Sequence, residues 1–67
     1  MKRWKAKIND QPSKRFVIEE DEGIGFYLSV YEGEKCTHDY LQDTFQFAVE
    51  LAEEDFGVDP NVWEQDP

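Results

Sequence analysis

Over the first eight residues, apolar and basic positions alternate: Trp4, Ala6 and Ile8 fall between Arg3, Lys5 and Lys7. A period of two sends successive side chains to opposite faces, so the pattern predicts a strand with one wet, basic face. Asn9-Asp10-Gln11-Pro12-Ser13 reads as a loop. Phe16-Val17-Ile18-Glu19 predicts a second strand, Asp21-Glu22-Gly23-Ile24-Gly25 a hairpin loop, and Phe26-Tyr27-Leu28-Ser29-Val30-Tyr31 a third strand rich in aromatic and β-branched residues. On the third strand, alternation points Phe26, Leu28 and Val30 inward and Tyr27, Ser29 and Tyr31 outward. Glu32-Gly33-Glu34 turns the chain and leaves room for a short fourth strand near 36–40.

The period then changes. Phe45, Ala48, Val49, Ala52 and Phe56 recur at helical spacing and predict a helix over about 44–56 whose apolar stripe lies on the sheet. Asp43 is placed to cap its start, with Gln46 at the third helical position, and Gly57 to end it. Asp59-Pro60 reads as the start of a short C-terminal helical turn that carries Val62 and Trp63 back to the body, Trp63 closing one end of the core. The expected architecture is one α+β domain spanning 1–67. It is a three-stranded antiparallel sheet, with the short fourth strand at most, covered on one face by a single helix.

Composition narrows the class. A chain of 67 residues can bury only about 60% of its unfolded surface, which makes a single thin core. Aromatic residues at 15% and hydrophobic residues at 39% nevertheless set it apart from disordered chains, despite a net charge of -9. The lone Cys36 excludes an internal disulfide, and no apolar run is long enough for a signal peptide or a membrane span. A cytoplasmic protein is the expectation. Charge is uneven: residues 1–15 hold six of the seven basic side chains against Asp10, a balance of +5, and the remainder carries -14. The sequence therefore reads as electrically bipolar.

Candidate chemistry is sparse. Cys36 and His38, two apart on an extended segment, would share a face, but no third group is identifiable to orient them as nucleophile and base. With Asp39 they fall short of the four ligands of a structural zinc site. Glu19-Glu20-Asp21-Glu22 lacks the alternating oxygen ligands of a calcium loop, and Gly23-Ile24-Gly25 is followed by a strand rather than by a phosphate-binding helix. No catalytic, cofactor or metal residue is assigned, and the expected role is binding rather than catalysis.

Two surfaces qualify. The outer helix face carries Asp43, Gln46, Glu50, Glu53 and Glu54, with Asp55 at its margin. Glu50 and Glu54 repel one another at i, i+4, and Glu53, Glu54 and Asp55 oppose the helix macrodipole. Phe47 and Leu51 lie beside these acids, either as an interface anchor or as a pair covered by Val58, Val62 and Trp63; the accessibility of Phe47 decides between them. This face suits a basic protein partner. The alternative is the uncovered sheet face, where Lys5 and Lys7 beside Tyr27 and Tyr31 could hold single-stranded nucleic acid or a second copy of the chain. A charge of -9 disfavours the nucleic acid.

Residues 16–52 also resemble the N-terminal part of the HicB-like antitoxin domain. The likeness lies in Phe16-Val17-Ile18-Glu19-Glu20-Asp21-Glu22, in Gly25-Phe26-Tyr27-Leu28-Ser29-Val30, in Cys36, and in Asp43-Thr44 with Ala48 five residues after the aspartate. Phe56-Gly57-Val58 and Trp63 resemble a group of small bacterial proteins with an Asp-Thr helix, a Phe-Gly-Val end and a later tryptophan. The HicB-like resemblance implies a domain that neutralises a small basic RNA-cleaving toxin by covering its surface. An immunity or nuclease-inhibitor protein is the related reading.

Overall fold

The computed structural model describes residues 2–8 and 13–66; most of the loop expected at 9–13 lies outside them. The fold is one sheet of five antiparallel strands and one helix, in the order β1 (Arg3–Ala6), β2 (Lys14–Asp21), β3 (Gly25–Glu32), β4 (Lys35–Gln42), α1 (Phe45–Phe56) and β5 (Trp63–Asp66). The three-stranded sheet expected from the pattern is thus corrected to five strands in the spatial order β4-β3-β2-β1-β5.

The two extra strands have separate causes. β4 runs the full length of β3, but Thr37 is an extra residue: Val30 pairs with His38 while Tyr31 pairs with Cys36. A bulge of this kind reverses which face each later residue takes, so no single alternation runs through β4. Thr37 holds the bulge by donating its hydroxyl to the Val30 carbonyl at 3.2 Å. β5 follows the turn expected at Asp59-Pro60, which closes with the Val62 N–H on the Asp59 carbonyl at 3.3 Å, and adds a strand where none was expected. Asp59 Oδ1 accepts from the Asn61 N–H at 2.8 Å, and the turn delivers Val62 to a bond with the Lys7 N–H. Trp63 to Asp66 then pair with Ala6 to Arg3. The free backbone edge of β1 needs partners, and this requirement overrides the weak strand propensity of Glu64-Gln65-Asp66.

α1 lies over β2, β3 and β4. Its stripe packs as expected: Ala48, Val49 and Ala52 are buried against Phe16, Ile18, Leu28 and Val30, with Val58 sealing the helix exit. Aromatic clusters hold both ends of the helix. Phe45 sits 4.5 Å from Trp4 and 6.2 Å from Phe26, and Phe56 sits 5.6 Å from Phe16. Val62 and Trp63 pack against the core, although the Trp63 indole N–H is buried without a partner among the described residues. An orphan of this kind costs about 1–3 kcal/mol.

The caps differ from expectation at one end. Gly57, at φ +71°, ends the helix as anticipated. At the start, Thr44 rather than Asp43 is the N-cap; its hydroxyl accepts from the Phe47 N–H at 3.1 Å, which moves Gln46 out of the capping-box position. Thr44→Ala is therefore expected to cost about 1 kcal/mol in urea unfolding, and Asp43→Ala less than half as much. Equal losses from the two changes would contradict the assignment.

Candidate functional site

The helix exposes Gln46, Phe47, Glu50, Glu53, Glu54 and Asp55. Among the described residues none of these acids has a basic partner within 4.0 Å, since the one ion pair joins Lys7 to Glu64. The last helical turn holds no base, so the repulsion along the helix and against its dipole is not relieved locally. The apolar pair beside the acids divides. Leu51 is half-buried and drawn onto the core, whereas Phe47 keeps 50% of its surface open to solvent. The tail of Val58, Val62 and Trp63 leaves Phe47 accessible.

A second acidic group adjoins the helix start. Glu20, Asp21 and Glu22 of the β2–β3 hairpin line a shallow hollow with Asp43, and Ile24 at its rim is 56% exposed. Sequence reasoning placed these acids on a solvated hairpin tip. The contribution of Asp43 follows from the β4–α1 turn coming to rest beside that tip, which no local pattern encodes.

The opposite sheet face is built by register. Tyr27, Ser29 and Tyr31 on β3 pair with Glu19, Val17 and Arg15 on β2 and with Leu41, Asp39 and Cys36 on β4. Arg3 and Lys5 on β1 pair with Glu19 and Val17 on one side and with Asp66 and Glu64 on the other. The expected basic strand is therefore flanked by carboxylates, and Lys7 lies 3.6 Å from Glu64. This corrects the bipolar reading: β5 returns acids to the side of the molecule that holds the bases. Little uncompensated positive charge is left for a phosphate backbone.

Nor do the lysines cover the tyrosines. Lys5 is two strands from β3, and it is Arg15 whose guanidinium lies 4.8 Å over the Tyr31 ring. The signal for Arg15 was available, because it alternates with Val17 and Glu19 on one face of β2. Tyr27, Ser29, Tyr31, Glu19, Cys36 and Asp39 border an open hollow of about 460 Å³ on this face.

The bulge separates the pair weighed as nucleophile and base. Cys36 lies on the open face, while His38 lies on the helix side, stacked 5.9 Å from Tyr40 and edge-on 5.4 Å from Phe56. The Cys36 thiol meets the His38 carbonyl at 3.4 Å rather than its ring. The expectation that the two share a face is overturned by Thr37. Among the described residues no three His, Cys, Asp or Glu side chains are grouped to hold a metal ion, and no helix is long and apolar enough to cross a membrane. Comparison with protein-family models, curated proteins and solved structures finds no match for this chain.

Proposed function

We propose that the chain is a non-enzymatic binding module, an acidic inhibitor or antitoxin-like protein that presents α1 to a basic protein partner. The observation that carries this reading is Phe47, half exposed, with the exposed acids Glu50 and Glu54 three and seven residues on along the same side of the helix. Interfaces concentrate their energy in aromatic anchors ringed by polar groups, and fields of one sign steer an oppositely charged partner to them. The strain the helix tolerates is consistent with this use. Like charges at Glu50 and Glu54 cost about 0.2–0.5 kcal/mol in the free protein, and a cationic partner would relieve that repulsion. The resemblance of residues 16–52 to HicB-like antitoxins points in the same direction, toward a small basic RNA-cleaving toxin.

The test is affinity capture from an extract of the source organism with wild-type protein, Phe47→Ala, and the pair Glu50→Lys/Glu54→Lys. The expected result is a basic protein held at low salt and released as salt rises. Phe47→Ala should weaken its binding by about 2 kcal/mol, roughly 30-fold, and the charge-reversed pair should abolish it. Retention that neither change alters would remove the helix face as the binding surface.

A further inference from the structure

The hollow lined by Tyr27 and Tyr31 carries the charge opposite to that expected beside them. Four carboxylates, Glu19, Glu20, Asp21 and Asp39, border it, and no base among the described residues does. None of the four has a cation within 4.0 Å among the described residues, although Arg3 stands beside Glu19 on β1. Between the two rings lies Ser29, which is 7% exposed and whose hydroxyl has no hydrogen-bond partner among the described residues. A hydroxyl buried in this way gives up the hydrogen bonds that water would supply, so the hollow has an unmet acceptor at its centre as well as unmet charge around it.

We infer that this hollow takes the guanidinium group of an arginine presented by another polypeptide. The protein contains half of the pattern already. Arg15 pairs with Tyr31 across β2 and β3 and lays its guanidinium 4.8 Å from the centre of that ring. At Tyr27 the same cross-strand position holds Glu19 instead. The face of a tyrosine ring is its electronegative side, so a carboxylate is a poor neighbour for it, and a cation placed between the two is attracted by both. A guanidinium lying on Tyr27 donates to Glu19 from one edge of its fork while its plane stays against the ring. Ser29 and, beyond it on β4, Asp39 supply acceptors toward the other edge.

Chemistry and shape select this occupant. Among the described residues no three His, Cys, Asp or Glu side chains are grouped to hold a metal ion, so the carboxylates are spread too widely for one. A lysine ammonium is a compact, strongly hydrated charge that neither stacks on a ring nor reaches several acceptors in one plane. A free small cation binds well only when most of its surface is enclosed, which an open hollow of about 460 Å³ does not do; an arginine carried on a chain has the rest of that chain to close the mouth. The net charge of -9 draws such a basic segment in. The site lies across the sheet from Phe47 and the acids of α1, and the inference does not rest on the use proposed for the helix.

The experiment is an amide NMR titration of the full chain with two blocked peptides, Gly-Gly-Arg-Gly-Gly and Gly-Gly-Lys-Gly-Gly. Salt is held at about 150 mM, where attraction to distant charge is screened beyond about 8 Å. The arginine peptide is expected to shift the amides of Glu19, Tyr27, Ser29 and Asp39 with a Kd of about 1 mM, and the lysine peptide to bind about fivefold more weakly or less. Tyr27→Leu and Glu19→Gln should each weaken the arginine peptide about fivefold, whereas Tyr27→Phe should keep it, since the ring and not its hydroxyl holds the cation. The dispersion of the same spectra shows whether each variant is folded; if Tyr27→Leu is not, the near-isosteric Glu19→Gln carries the test. Shifts confined to α1, no shifts up to about 20 mM peptide, or binding that Glu19→Gln leaves unchanged overturns the inference. Equal binding of the two peptides shows that the hollow reads charge alone and overturns the assignment to arginine. Phe47→Ala should leave the titration unchanged, so failure here and failure of the helix as a binding surface are separate results.

Discussion

Phe16→Ala is expected to leave most molecules unfolded at 25 °C. Phe16 is 1% exposed and joins three elements: it lies on β2, meets Phe56 of α1 at 5.6 Å, and through Phe56 reaches His38 and Tyr40 of β4. Truncating a buried phenylalanine costs about 3–5 kcal/mol, the sum of lost transfer energy and the cavity left behind. A core of this size rarely supplies more than about 3–5 kcal/mol in total. The site is also poorly able to collapse, because its neighbours Ile18, Leu28 and Val30 belong to a paired sheet whose backbone cannot close on the void. Urea titration followed by Trp4 and Trp63 fluorescence measures the loss. Phe47→Ala, on the open side of the helix, is the control and should fall within about 0.5 kcal/mol of wild type. A cooperative transition for Phe16→Ala with a midpoint near that of wild type would show that the core lies elsewhere.

What could be read in the sequence divides along physical lines. The helix stripe from Phe45 to Phe56 and the inward set Phe26, Leu28 and Val30 were visible because burial imposes a period, and the period is written in residue type. β4 was only glimpsed, since one extra residue at Thr37 breaks its alternation and so hides both its length and the parting of Cys36 from His38. β5 was missed because three of its four residues are polar and its pairing is decided by the open edge of β1, some sixty residues away in sequence. The same long-range pairing upset the charge reading: Glu64 and Asp66 are distant from Arg3 and Lys5 along the chain and adjacent to them in the sheet. Of the candidate surfaces, the acids of α1 followed directly from helical spacing. The state of Phe47 did not, because it depends on where the segment after Gly57 lies.

Gly25→Ala is expected to be the most damaging of the turn substitutions, and the reason is a close approach between backbones. Gly25 opens β3 at φ +149°, a region that only glycine occupies freely, and a Cβ built there would stand 2.5 Å from the Gln42 carbonyl oxygen. No rotamer relieves that overlap, because the obstructing atom is main chain. The end of β4 must move, and it leads within two residues to Thr44, the N-cap of α1, and then to Phe45 between Trp4 and Phe26. Strain at one glycine is thereby passed to the helix start. Gly23 and Gly33 also have positive φ, at +84° and +62°, but nothing lies within 4 Å of a Cβ at either. Alanine there should cost about 1 kcal/mol from the dihedral alone, whereas Gly25→Ala should cost about 3 kcal/mol. Hydrogen exchange separates the mechanisms: amides of residues 41–48 should lose protection in Gly25→Ala and keep it in the other two. If Gly25→Ala were no worse than Gly23→Ala, with β4 protection unchanged, the contact between β3 and the end of β4 would not be what positions the helix.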